Sequence, residues 1–279
     1  MIHHRSAPIL LIAIALSAAT STVAAQHLIL PPKCELPRPA TAGGKDCVTP
    51  SDAQSQGPGT PPPQRHSRPL SRLFNRLLDD EKRIWTSPSR VKREDIKWIA
   101  PFAVITAAMI STDNRAIAKL GIPRDFSEDS RDLSSLGSGF VTFGAAGSIF
   151  VVGKLTHDER ATETGVLGIE ALIHSSIVAN VLKLATERER PNKPQGHGSF
   201  WDGGKSFPSG HATVIWALST VVAEEYSNKP VIRFGAYAVA AAVAAARFTG
   251  QNHFPSDVVV GSTLGYLIGH YIVKRHSRF

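Results

Sequence analysis

From Trp98 onward the chain runs in long stretches of Ala, Val, Ile, Leu and Gly, interrupted at intervals by short polar segments. The apolar positions recur at the spacing of a helix and do not alternate as in a strand. They predict helices over about 95–112, 136–154, 160–187, 210–226, 230–248 and 256–274, with a polar loop over 113–135 that carries Asp113, Arg115, Arg124, Asp125, Glu128 and Asp129. About six core helices without strand segments predict an all-α fold, a compact helical bundle. Small residues such as Gly144, Ala145, Ala146 and Gly147 let such helices approach closely. A shorter helix is expected ahead of them over 69–85. There Leu70, Leu73, Phe74, Leu77 and Leu78 repeat at helical spacing among Arg72, Arg76, Lys82 and Arg83. It suits either packing on the main domain or lying as a basic amphipathic helix on a membrane surface.

The N-terminal part has a different pattern. Residues 1–25 read as a signal peptide: a short positive start to Arg5, an apolar core from Pro8 to Ala19, and Val23-Ala24-Ala25 before Gln26 as a small-residue cleavage site. Residues 26–68 hold nine of the chain's 19 prolines among Gly, Ser, Thr and Gln, a linker composition that buries no core. Cys34 and Cys47 fall within it; in an oxidising compartment they can close a small disulfide loop, or they stay incidental thiols. The expected organisation is thus a signal at 1–25, a Pro-rich linker at 26–68, an amphipathic helix and connection at 69–94, and a helical domain at 95–279.

Charge narrows the partners. A formal net charge of +8 and a pI near 9.7 favour anionic ones: phosphate esters or an anionic membrane surface. The chain has no nucleic-acid-binding motif, so nucleic acid is not an expected partner. Zinc-like Cys/His spacing is also missing, and neither a metal nor another cofactor is expected.

The candidate chemistry lies between Lys183 and Asp257, in three clusters. Lys183 precedes Arg190-Pro191; Pro208-Ser209-Gly210-His211 follows; Arg247, His253 and Asp257 close the set. Lys183 and Arg190 stand two helical turns apart and can share a face, with the helix ending just before Arg190 because Pro191 disfavours helix there. Ser209 can cap the helix that follows it or donate to a ligand, and Gly210 lets the backbone come close. Three cations and the turn amides suit an oxyanion with several oxygens. Two histidines can divide the nucleophile and acid roles, with the carboxylate orienting one imidazole. This combination suits phosphoryl transfer without a metal.

These clusters resemble the signature of the type 2 phosphatidic acid phosphatase superfamily, which includes bacterial class A acid phosphatases and vanadium haloperoxidases. The resemblance spans roughly residues 95–275; one departure is Ala246, where the family often has Ser. It implies a bundle of the acid phosphatase type and a phosphomonoesterase acting on a lipid phosphate or a small soluble ester. His253 would be the nucleophile that forms a phosphohistidine, and His211 the acid that protonates the leaving oxygen. Asp257 would orient the nucleophile, while Lys183, Arg190, Ser209, Gly210 and Arg247 would hold phosphate oxygens. A vanadium-dependent haloperoxidase and a non-enzymatic phosphate binder are the alternatives.

Location is less direct. Apolar runs of this length fit buried helices or short spans. Glu170 and His174 interrupt one helix and Arg233 another. If 98–112, 136–153 and 164–185 all crossed a bilayer, the 186–208 loop would face the cytoplasm, with the signal removed or retained. Superfamily members usually work on the outer side. The expectation is therefore an exported, periplasmic helical domain, with an inner-membrane domain as the alternative.

Overall fold

The structure, a computed structural model, describes residues 69–193 and 196–279. The expected signal peptide, the Pro-rich linker and both cysteines lie outside the described residues. Eight α-helices make up the fold among the described residues: α1 (Pro69–Trp85), α2 (Ile96–Leu120), α3 (Arg124–Ser134), α4 (Gly139–Thr156), α5 (Glu159–Thr186), α6 (Gly210–Glu225), α7 (Pro230–Thr249) and α8 (Pro255–His276). No strand occurs among the described residues, as the missing alternation predicted.

The closest helix pair is α6 with α8. Gly261, Gly265 and Gly269 recur every four residues along one face of α8. A Cβ on Gly265 would stand 2.1 Å from the Thr213 carbonyl oxygen of α6, so only glycine permits this approach. Gly165 plays the same part between α5 and α4, where a Cβ would meet the Phe150 backbone nitrogen at 2.5 Å. Around the central pair, Leu167, Ala171, Val178 and Leu182 of α5 pack on Val221 of α6 and on Val260, Leu264, Ile268 and Ile272 of α8. Helix α7 lies against α6, and α3 against α7.

The expected polar loop at 113–135 is instead mostly helix. Helix α2 runs on to Leu120 and stops at Gly121, whose φ of +50° is left-handed; Pro123 then precedes α3. Helix α3 has no apolar repeat to announce it. Its inward face is Ser127, Ser130 and Ser134, all buried; Ser130 and Ser134 accept from Thr249 and Arg247 of α7 rather than meeting a hydrocarbon core. Helix α1 packs Ile84 on the core but otherwise docks through charge: Arg76 on Glu170 at 2.6 Å, Glu81 on His174 at 2.5 Å, and Asp80 on Arg275 at 2.8 Å and His276 at 2.7 Å.

Among the described residues, four helical stretches are long and apolar enough to cross a membrane: Arg93–Lys119, Gly139–Thr156, Glu159–Thr186 and Pro230–Thr249. Only the third is mostly enclosed; in the other three, 28% or less of the apolar window is buried. Phe140 is 96% exposed, Val231 84% and Trp98 72%. Apolar helices exposed to this degree fit an integral membrane protein, consistent with the inner-membrane alternative.

Candidate active site

Every residue picked out in the three clusters sits at one end of the bundle, where α5 and α7 finish and α6 and α8 begin. Lys183 lies in the last turn of α5. The helix closes at Thr186, and Glu187 turns left-handed at φ +42°. It therefore ends earlier than the proline rule predicted, and Arg190 lies in the following loop, off any helical face shared with Lys183. The cause is pairing between two loop strands of backbone: Glu189 donates to the Ser199 carbonyl, Gly204 to Glu187, and Ser206 to Arg188. Lys183 Nζ donates to the carbonyls of Pro208 (2.6 Å) and Lys205 (3.1 Å), which aims it at the turn beside α6. It feels the charges of Arg190, Arg247 and Asp257, so the three cations do converge.

The turn 206–211 delivers the second cluster. Ser209 is the residue before α6, yet its hydroxyl does not cap the helix. The Ser209 Oγ is buried with no partner among the described residues, while its backbone N–H donates to the Asp257 carbonyl at 2.9 Å. An unused buried hydroxyl beside free helix-start N–H groups is a ready anion contact. His211 follows in the first turn, half-buried. Burial, then the charges of Arg247, His253, Lys183 and Arg190, push its pKa down to about 3.

The third cluster comes from the end of α7 and the start of α8. Arg247 is buried in the last turn of α7, where its Nη1 donates to Ser134 Oγ of α3 at 2.9 Å. Its Nε is buried and has no partner among the described residues. His253 is 1% exposed. Its Nδ1 lies 2.8 Å from the Ser206 carbonyl. A carbonyl only accepts, so Nδ1 carries the proton and Nε2 keeps its lone pair free. Burial holds the His253 pKa down at about 4, against the pull of the Asp257 carboxylate.

Asp257 acts less directly than expected. Its Oδ2 stands 3.7 Å from His253 Nδ1, beyond hydrogen-bond reach. That oxygen instead accepts from Ser206 Oγ at 2.5 Å and from the Phe254 N–H at 2.9 Å. Asp257 thus holds Ser206, and the Ser206 carbonyl holds the imidazole. The loop aromatics also take a definite part. Phe200 packs edge-on against Phe207, and Trp201 Nε1 donates to the Ala185 carbonyl at 3.1 Å, so both pin the loop to the bundle.

Four participants were missed in the sequence, Ser206 among them. Arg188 is buried behind Asp257, Asp113 of α2 reaches the same place, and Ser134 of α3 holds Arg247. The clue for Arg188 was weak: it sits in the alternating run Glu187-Arg188-Glu189-Arg190, which reads as solvated charge. Among the described residues, no group of three or more His, Cys, Asp or Glu is disposed to hold a metal ion.

Comparison with known proteins agrees with the geometry. A family model described as the PAP2 superfamily matches residues 165–279. A lipid A 1-phosphatase of Rhizobium johnstonii is 32% identical over 101 residues, covering 34% of this chain and 40% of that protein. One from Rhizobium etli is 33% identical over 101 residues, covering 34% and 42%. A lipid A 1-phosphatase of Porphyromonas gingivalis is 35% identical over 65 residues, covering 23% and 15%. The chain thus spans less than half the length of the curated relatives it matches. Among solved structures, the transmembrane PAP2-type phosphatidylglycerolphosphate phosphatase of Bacillus subtilis aligns with a TM-score of 0.45 at 22% identity, over 75% of this chain and 98% of that one. LpxE of Aquifex aeolicus aligns with a TM-score of 0.42 at 22% identity, over 58% and 92%. All three site clusters fall inside residues 165–279, the segment that the PAP2 superfamily model matches.

Proposed function

We propose that this protein is a membrane-embedded phosphatase that removes the terminal phosphate of a lipid phosphate through a phosphohistidine on His253. One observation carries the reading: a buried imidazole whose Nδ1 is tied to a carbonyl, leaving Nε2 bare, lies among three cations, an unpartnered serine hydroxyl and a helix N-terminus. The lipid A 1-phosphatases that match part of the chain support a lipid ester as substrate. The exposed apolar helices support a bilayer around the site, through which such a substrate arrives.

The chemistry follows from the atoms present. Lys183, Arg190 and Arg247 neutralise the phosphate oxygens, with Ser209 Oγ and the α6 start completing the cradle. The Nε2 lone pair of His253 attacks phosphorus in line, and the bond to the leaving oxygen breaks. His211 donates a proton to that oxygen. Burial and the neighbouring cations hold its pKa low, and the negative charge of a phosphate beside it raises its proton affinity. His211 then takes a proton from water, whose oxygen displaces His253 from phosphorus and frees phosphate. The cations supply the charge that a metal ion provides elsewhere, so no metal is needed.

The test is purified protein in detergent, assayed on phosphatidate, a lipid A preparation and a soluble aryl phosphate, with and without chelator. Phosphate release from a lipid, insensitive to chelator and inhibited by vanadate, is expected. Release that requires a divalent ion overturns the mechanism. Bromide oxidation with added vanadate, in place of hydrolysis, overturns the function.

A further inference from the structure

Arg188 is 1% exposed, and its guanidinium is held on every side. Its Nε donates to the Gly198 carbonyl at 3.1 Å, Nη1 to Ser256 Oγ at 2.8 Å and Asp257 Oδ1 at 2.6 Å, and Nη2 to Asp113 Oδ2 at 2.7 Å. The rings of Phe254 and Phe200 cover the guanidinium carbon at 4.4 and 4.8 Å. Asp113 also accepts from the Ser256 N–H at 3.2 Å and from Ser256 Oγ. The result is a carboxylate–guanidinium–carboxylate ladder running from α2 to the start of α8. It continues through Asp257 Oδ2 and Ser206 to Nδ1 of His253. Asp113 lies outside the segment that the family model matches.

We propose that Arg188 and Asp113 are positioning residues for the His253 nucleophile, an inference that rests on the phosphatase reading above. Neither faces the phosphate cradle. Both act through Asp257, fixing the carboxylate that holds Ser206 and so the imidazole. The ladder also carries charge. Two carboxylates against one guanidinium leave one net negative charge on the Nδ1 side of the ring, which stabilises the positive imidazole formed when Nε2 bonds to phosphorus. Stability alone does not explain the arrangement, because burying such ions costs several kcal/mol each and apolar replacements often fold as well. The other charged groups facing His253 are Lys183 from α5, His211 from α6 and Arg247 from α7.

The experiment uses the full chain in detergent with Arg188→Met, Arg188→Lys and Asp113→Asn. For Arg188→Met, kcat falls about 100-fold while KM stays within about 3-fold, since the phosphate cations are untouched. Arg188→Lys recovers part of the rate, and Asp113→Asn loses about 10-fold, the usual size of such supporting contacts. A second readout does not need turnover: nitrogen NMR of His253. Asp113→Asn removes negative charge and moves its protonation to lower pH; Arg188→Met removes positive charge and moves it to higher pH. An Arg188→Met protein with unchanged kcat, or with its loss confined to KM, overturns the proposal. If Arg188→Met does not fold, Asp113→Asn keeps the shape of the site and decides by the same readings. A wild-type protein that releases no phosphate counts against the phosphatase reading alone. In that event an unshifted His253 titration in the variants overturns the ladder.

Discussion

Just beyond α5, Arg188 joins Asp113 and Asp257 with all three side chains 2% exposed or less. Midway along α5, Glu170 and His174 take Arg76 and Glu81 from α1, but here Arg76 is 33% exposed and Glu81 19%. The two networks also differ in how completely they are bonded. Both oxygens of Asp113 and both of Asp257 are used. In the α1 network, Glu170 Oε1, His174 Nε2 and Arg76 Nε are buried without partners among the described residues. A dry network with every acceptor filled admits one arrangement and fixes an atom in place. A wetter one with spare acceptors tolerates slack, and is suited to keeping a helix attached. Helix α1 matches that role: Arg76, Asp80 and Glu81 reach into the bundle, while Phe74 and Leu78 are exposed.

Variants at the nucleophile should give the largest effects. His253→Ala abolishes turnover, by at least about 10,000-fold, together with the acid-labile, base-stable phosphoenzyme seen by rapid quench. A phosphoenzyme that persists in this variant moves the nucleophile elsewhere. Asp257→Asn keeps the shape but weakens the grip on Ser206 and Arg188. It should leave vanadate binding nearly intact and lower kcat by about 1,000-fold. His211→Ala should cost about 100-fold with an alkyl phosphate and much less with an activated aryl phosphate, which leaves without help. Comparing the two substrates in single turnovers checks this.

The pH dependence sharpens the same contrast. His253 attacks only when neutral, and burial lowers its pKa to about 4. The acid limb of kcat/KM should therefore fall near pH 4, some two units below an ordinary histidine at about 6.5. A limb at 6.5 contradicts the burial of the imidazole. The smallest effect belongs to α1. Arg76→Met leaves Glu170 short of its partner and lowers stability by about 1–2 kcal/mol, discounted because Arg76 is a third exposed. The same variant should keep kcat within about twofold of wild type. A large loss of kcat would join the two networks into one.

Much of this was legible in the sequence, for identifiable reasons. The long helices announced themselves through apolar spacing, and α6, α7 and α8 begin and end within about two residues of expectation, the usual fraying of helix ends. The three clusters lie near helix ends, and the bundle brings them together. Helix α3 was not legible, because its buried face is serine, with Ser130 and Ser134 bonded to α7, and a hydrophobic pattern cannot register it. Arg188 was not legible either: one of four alternating charges, it goes inward only because Asp113, distant in sequence, waits behind it. The outward apolar faces were ambiguous for another reason. A helix coated with Ala and Val reads alike whether hydrocarbon or protein surrounds it.

The glycines of α8 have a bearing on the pocket itself. Gly261 is the first of the series, and a Cβ there would stand 2.5 Å from the Ser209 carbonyl oxygen. Ser209 is the residue whose N–H ties the turn to the Asp257 carbonyl and whose hydroxyl faces the cradle. The width of the proposed phosphate site is therefore gauged by an absent methyl group on its far wall. Gly261→Ala would act as a wedge, driving the Ser209 turn away from the α8 start and loosening the hold on phosphate without altering a single charge.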